Sequence, residues 1–436
     1  MSSSSSSSSS TSTEMLEVLT LIPGLPYDIS ATILSLLPPS HRSRVKSVSR
    51  AFNLFLSDSK FSHSHPILCI FPTDPSLSPP PYLFDLSSLA WKLLPPVPCS
   101  THLYGLSNFK AVAVGKVVFV IGGSQFDARA YPLGRPIAAG GIVKIDLGME
   151  GKGWEKLPDM NVPRGSFACA SVERSLSESR IRRTTDEKKT SGSSNRLGGS
   201  GMIIVAGGGS RHTMYPCEGN RSRVVEAFDV STGEWSEIES LPRCRAGCFG
   251  WIMNGKEEEE FWVMGGYGGY RAVSGVFPAD VYYKDGSVYG LKSRTWREIE
   301  NMWEDGERRK LGLVAVVYED NGDTSGVFML DKNDILRYDF TLNRWIKEAT
   351  LPRRFIPSDE TCSFVAINKE LYVLKSRKTL VEITHLNPRR AGSKKNATLE
   401  IQVYHTEMHK WRYMTAITPF ERPLNFNIAV LCTVRI

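Results

Sequence analysis

No Cys-x-x-Cys pair occurs in the 436 residues, and the eight cysteines have no histidines at zinc-ligand spacing, so nothing suggests a metal site. Cys244 and Cys248 come nearest, and they read as two small buried residues. Histidine is scarce too, with eight residues. No G-x-S-x-G, P-loop or H-E-x-x-H signature is present, which removes the commonest hydrolase, nucleotide and metalloprotease routes to catalysis. No apolar run approaches the ~20 residues of a membrane-spanning helix. Basic charge is thin: 53 Lys and Arg against 46 Asp and Glu leave +7, without a concentrated stripe on a nucleic-acid-reading fold. The expectation is a non-enzyme with no cofactor and no metal, and with neither nucleic acid nor membrane as partner. The opening MSSSSSSSSSTST carries no basic residue, and MLEVLTLIPGLP after it is short, acidic and broken by proline, unlike a signal peptide. The expected compartment is the cytoplasm or nucleus, where thiols stay reduced.

What the chain does have is repetition. One phrase, an apolar strand ending in an acidic residue or turn and then Trp, recurs at Trp91, Trp154, Trp235, Trp296, Trp345 and Trp411. Upstream of three of these tryptophans an apolar run closes on paired glycines: VVFVIGG, MIIVAGG and FWVMGG. Each unit reads as four antiparallel strands, A to D. FKAVAVG, VVFVIGG, GIVKIDL and WEKLP make one set; in the fourth unit CFGWIM, FWVMGGYGG, VYYKDGS and WREIENM make another. The first unit has PILCIFP, PYLFDL and WKLLP but no strand A, whereas the chain ends in LNFNIAVLCTVRI, an orphan strand able to fill that place. Between about 173 and 201 lies a polar, Ser/Gly-rich insertion expected to be disordered.

A repeat of about 50 residues with Gly-Gly after its second strand and Trp opening its fourth resembles the kelch repeat. The resemblance implies a mainly β fold: a six-bladed kelch β-propeller over residues 66–436, closed by the C-terminal strand. The first, fifth and sixth units lack the diglycine and are degenerate in that respect. In such a fold the repeated Trp and Gly residues are structural.

Residues 21–65 follow a disordered Ser-rich tail (1–20) and have a helical pattern instead. Pro26 opens a helix with Ile29, Ile33, Leu34 and Leu37 on one face; Pro38-Pro39 breaks it; Arg42 to Phe55 forms a second, with Val45, Val48, Phe52 and Phe55 inward. A unit this small buries little core alone and is expected to complete itself on a partner. Leu25-Pro26, Asp28, Ile33-Leu34, Leu37-Pro38 and Val45-Lys46-Ser47-Val48-Ser49-Arg50 are similar to the F-box, with Arg50 and Phe52 where Lys and Trp are common. An F-box ahead of kelch repeats resembles a plant-type family of substrate-recognition subunits of SCF ubiquitin ligases. The resemblance implies docking on a Skp-type adaptor, and through it a cullin, by Leu25, Pro26, Ile29, Ile33, Leu34, Leu37, Pro38, Val45 and Val48. The propeller would then select the protein to be ubiquitinated.

In four-stranded blades the B–C and D–A loops share one face. Here these loops are rich in arginine and tyrosine, and Arg129, Arg135, Arg164, Arg211, Arg245, Tyr267, Arg271 and Arg354 form the candidate substrate-binding face. Arginine forks fit carboxylates and phosphates, so the expected substrate is an acidic or phosphorylated segment of a protein. Two other classes compete. A kelch copper radical oxidase needs two tyrosines, one of them crosslinked to a cysteine, and two histidines, whereas His212 is the one histidine placed in these loops. A non-catalytic kelch scaffold acting without a ligase differs only in failing to bind the adaptor.

Overall fold

The run Val117–Ile121 is buried at all five positions rather than at alternate ones. A strand of that kind has a neighbour on both faces. Val117, Phe119 and Ile121 enter a core shared with Ile203, Val205 and Phe228, while Val118 and Val120 enter another with Cys69, Leu83 and Val434. The computed structural model describes residues 21–57 except 36 and 38–43, and 66–436 except 74–78, 101, 130–135, 150, 174–200, 210–220, 256, 274–276, 305, 308–309, 320–322, 354–360 and 379–396. The serine-rich start and the segment between Glu173 and Gly201 therefore lie outside the described residues. The chain divides into two compact units, Met1–His65 and Pro66–Ile436.

The larger unit contains six four-stranded antiparallel sheets among the described residues. In five of them the strands follow chain order, beginning with Lys110–Val114, Ala168–Glu173, Phe249–Asn254, Leu313–Tyr318 and Cys362–Ile367. The first sheet is made of Pro66–Phe71, Tyr82–Asp85 and Ala90–Leu93, and its fourth member is the C-terminal strand Val430–Arg435. That strand pairs with Pro66–Phe71 from Pro66↔Arg435 to Phe71↔Val430. Each apolar core joins two consecutive sheets, and one core joins the sixth sheet to the first, placing Leu374 and Ile401 with Leu68 and Phe84. The first strands of these five sheets and the C-terminal strand all contribute to the lining of a single cavity of about 580 Å³, through residues such as Ala113, Ser171, Asn254, Tyr318, Ile367 and Thr433.

The repeated tryptophans tie neighbouring sheets at their outer edges. The indole Nε1 of Trp154 donates to the Pro95 carbonyl (2.8 Å), Trp235 to Pro158 (2.9 Å) and Trp296 to Glu239 (2.8 Å), in each case just beyond the last strand of the preceding sheet. Trp345 is buried, but its Nε1 has no hydrogen-bond partner among the described residues. Replacing Trp235 with Phe loses the donor together with the pyrrole half of the indole, so unfolding free energy should fall by at least about 1 kcal/mol. Denaturant titration of this variant against the intact chain measures the loss.

Two small sheets form in the connections between the strands of the four-stranded sheets. Leu103–Ser107, Ser124–Asp127 and Pro136–Ala138 form one, and Tyr267–Val273 pairs with Phe277–Tyr282 in a hairpin. The hairpin corrects the strand order of the fourth sheet. Its third strand is Gly286–Gly290, buried at every position, not the VYYKDGS stretch, of which Val281 and Tyr282 belong to the hairpin. Burial decides between them: the core of the fourth sheet takes Val288 and Tyr289, while Val281 is exposed.

In the smaller unit, helix α1 is Tyr27–Ser35. The Pro26 carbonyl accepts its first hydrogen bond from Ser30 N (3.0 Å), and Asp28 lies in its first turn, where a carboxylate favours the helix dipole. Helix α2 is Arg50–Ser57. The expected continuous helix from Arg42 is interrupted, because Ser49 caps a new start: its Oγ accepts from Phe52 N at 3.0 Å. The core consists of Leu21, Ala31, Leu34, Phe55 and Leu56.

Candidate functional site

The helical unit sorts its apolar residues in a way that periodicity had blurred. Ile29 and Ile33 do not share a face with Leu34: they are 47% and 44% exposed, whereas Leu34 is buried against Ala31 and Phe55. Positions 29 and 33 are four apart and adjacent on a helix, but 29 and 34 are about 140° apart. Leu25 (38%) and Val48 (70%) are also exposed, the latter correcting its expected inward position. Pro26 is exposed, Leu37 and Val45 are half-buried, and Pro38 lies outside the described residues. Leu25, Ile29, Ile33 and Val48 thus leave apolar area in water on a unit with five buried apolar side chains of its own.

Two of the arginines expected on the substrate-binding face turn inward instead. Arg164 and Arg245 are both fully buried. Arg164 forms a buried ion pair with Glu226 on the third sheet. Its Nη1 donates to the carbonyls of Gly207 (3.0 Å) and Val224 (2.7 Å), and its Nε to that of Val162 (3.1 Å). Burial pulls the guanidinium below the usual arginine pKa, with Glu226 acting against it. Arg245 repeats the device one sheet later, donating to the Gly265 carbonyl (2.9 Å) and Ser287 Oγ (3.2 Å), with Asp285 at 3.0 Å.

The diglycines belong to the same arrangement. Gly123 N and Gly208 N donate to the main-chain carbonyls of Arg164 and Arg245 (2.8 and 2.9 Å). Gly207 has φ +68°, and a Cβ there would stand 2.4 Å from the Arg245 carbonyl oxygen, so no other residue fits without displacing backbone. Glycine amide, arginine carbonyl, arginine side chain and next glycine carbonyl form a chain across the second, third and fourth sheets. A cation drawn this far from water needs such a set of acceptors, which is why these arginines point inward rather than toward a partner.

The other candidates divide three ways. Arg129 is exposed and paired with Asp127 at 3.1 Å. Tyr267 is buried, its backbone paired with Ala246 and its ring under the Arg221 guanidinium at 5.0 Å, so it too packs inside the loop layer. Arg271 lies on the hairpin strand Tyr267–Val273, while Arg135, Arg211 and Arg354 lie outside the described residues. Among the described residues no group of three or more His, Cys, Asp or Glu is placed to hold a metal ion. Cys248 is buried between the third and fourth sheets, which raises its thiol pKa.

Four-stranded antiparallel sheets with a positive-φ glycine pair after the second strand and Trp opening the fourth define a kelch-repeat protein. The Kelch motif model matches residues 199–242, which span the third sheet from its second strand through its fourth. The Arabidopsis thaliana F-box/kelch-repeat protein OR23 is 42% identical over 443 residues, covering 96% of this chain and 92% of that protein. F-box/kelch-repeat protein SKIP20, from the same plant, is 27% identical over 65% of this chain and 67% of its own length. The chain belongs to the plant F-box/kelch-repeat family.

Proposed function

We propose that this protein is a non-catalytic substrate-recognition subunit of an SCF-type ubiquitin ligase. Residues 21–65 act as the F-box and dock on a Skp-type adaptor, and through it a cullin; residues 66–436 act as a closed six-bladed kelch propeller that holds the protein to be ubiquitinated. The observation that carries the first half is the apolar set Leu25, Ile29, Ile33 and Val48, left in water on a unit too small to cover it. Closure is supported by the pairing of Val430–Arg435 with Pro66–Phe71 and by the core joining the sixth sheet to the first. The cytoplasm or nucleus, where SCF ligases work, is the proposed location. The first test is co-elution with a purified Skp-type adaptor on size exclusion. The intact chain should shift into a complex and Ile29→Asp/Ile33→Asp should not; since both side chains are exposed, the variant should stay folded, and unaltered co-elution would refute the docking mode.

A further inference from the structure

We propose that the groove between the fourth and fifth sheets binds an extended lysine- or arginine-rich segment of a partner protein. The groove measures about 1040 Å³. Its aromatic floor is Trp262, Tyr338 and Phe340, with Phe340 edge-on to both others at 5.5 and 5.0 Å between centroids. Phe340 is 41% exposed and Leu342, in the same turn, 64% exposed, so apolar area remains uncovered along this edge.

Around the floor stand Glu257, Glu258, Glu260, Glu298, Glu300 and Asp323, and the one basic residue among the described lining is Arg297. Several of these carboxylates already serve the fold. Glu260 accepts from Arg297 and from Trp262 Nε1 (both 2.9 Å), holding the guanidinium 5.2 Å from the Trp262 ring. Glu258 accepts from the amides of Lys292 and Ser293, and Glu298 lies 3.4 Å from Arg243. Glu257 and Glu300, both exposed, make no ion pair among the described residues. Thr324 Oγ1, also in the lining, is buried without a hydrogen-bond partner among the described residues.

The edge differs in construction from its neighbours. At the three preceding junctions an indole donates to the earlier sheet; here Asn343 Nδ2 donates to the Glu300 carbonyl (2.6 Å) and Arg344 to that of Asn301, while Trp345 Nε1 makes no such bond. Six carboxylates beside the exposed Phe340 and Leu342 complement a chain that alternates cations with apolar side chains, the cations meeting the carboxylates and the apolar side chains the uncovered edge. The inference stands whether or not the helical unit binds an adaptor.

The test uses the full chain and a fluorescein-labelled extended peptide of alternating lysine and leucine, with a second peptide bearing glutamate in place of lysine. By fluorescence anisotropy the lysine peptide should bind saturably, more weakly as salt rises, and the glutamate peptide should not bind. Glu257→Lys/Glu300→Lys should weaken binding by about tenfold or more, and Phe340→Ser should weaken it as well. Glu421→Lys, in the connection from the sixth sheet to the closing strand, should leave affinity unchanged. Equal affinity in the Glu257→Lys/Glu300→Lys variant, an equal loss in Glu421→Lys, or no saturable binding would each overturn the proposal.

Discussion

Arg164→Met should destabilise the β unit by about 3–5 kcal/mol, the scale for removing one partner of a buried ion pair. Methionine keeps much of the aliphatic length but leaves Glu226 charged and fully buried, and takes the donors from the Gly207, Val224 and Val162 carbonyls. Glu226 also accepts from the Asn161 amide at 2.8 Å, so the loop that carries Arg164 loosens with it. Adding Glu226→Gln removes the stranded charge and should recover part of the loss, which a double-mutant cycle in denaturant would measure. Arg129→Met, at an exposed and solvent-screened pair, should leave the denaturant midpoint close to that of the intact chain. Comparable midpoints for Arg164→Met and Arg129→Met would mean that the buried pair has no structural weight. The same reasoning changes how functional mutants are read: a charge reversal at Arg164 or Arg245 that abolished target binding would report a broken core rather than a lost contact.

Deleting Val430–Ile436 should abolish cooperative folding of the larger unit. The strand Pro66–Phe71 would lose its partner along six residues, turning an interior strand into an open edge, a template for aggregation. Val434 and Cys432 leave the core between the first two sheets, and Leu431 leaves the core between the sixth and first. A single strand thus supports two cores. The truncated chain should elute as aggregate on size exclusion and show no sharp transition by circular dichroism. A soluble monomer melting in one step would contradict this account of the C-terminal strand.

The strands were legible because their burial is written into composition. Val117–Ile121 is apolar throughout since it faces two neighbours, and each diglycine follows such a run because positive φ is required twice in succession. Trp154, Trp235 and Trp296 were legible as structural, though not the carbonyls they reach. The arginines were misread for a physical reason. In sequence, Arg164 and Arg245 sit in polar loops and look solvated; only packing shows that the loop folds under the next sheet, where a glycine carbonyl and an acidic or hydroxyl side chain receive the cation. One signal was available: each stands within two residues before a glycine, in PRG and RAG, just ahead of a first strand. Helical periodicity likewise grouped Ile29 with Leu34, although a rotation of about 140° separates them. The fourth-sheet error arose because YYKDGSVYG holds two strand-like stretches, and proximity to the Trp phrase did not decide between them. The acidic groove could not have been read at all, since Glu257, Glu300 and Phe340 come from three separate stretches of chain that only the packing of two sheets brings together.

The central claim, that the exposed apolar side chains of the helical unit are an adaptor-binding surface, is tested most directly by calorimetric titration of a purified Skp-type adaptor into the intact chain and into Leu25→Ala/Pro26→Ala. The account predicts a saturable one-to-one complex with the intact chain and at least about a tenfold loss with the variant, because both positions lie at the exposed start of α1. No heat of binding with the intact, folded chain, or equal affinity in the variant, would contradict it and leave a kelch scaffold whose helices serve another partner.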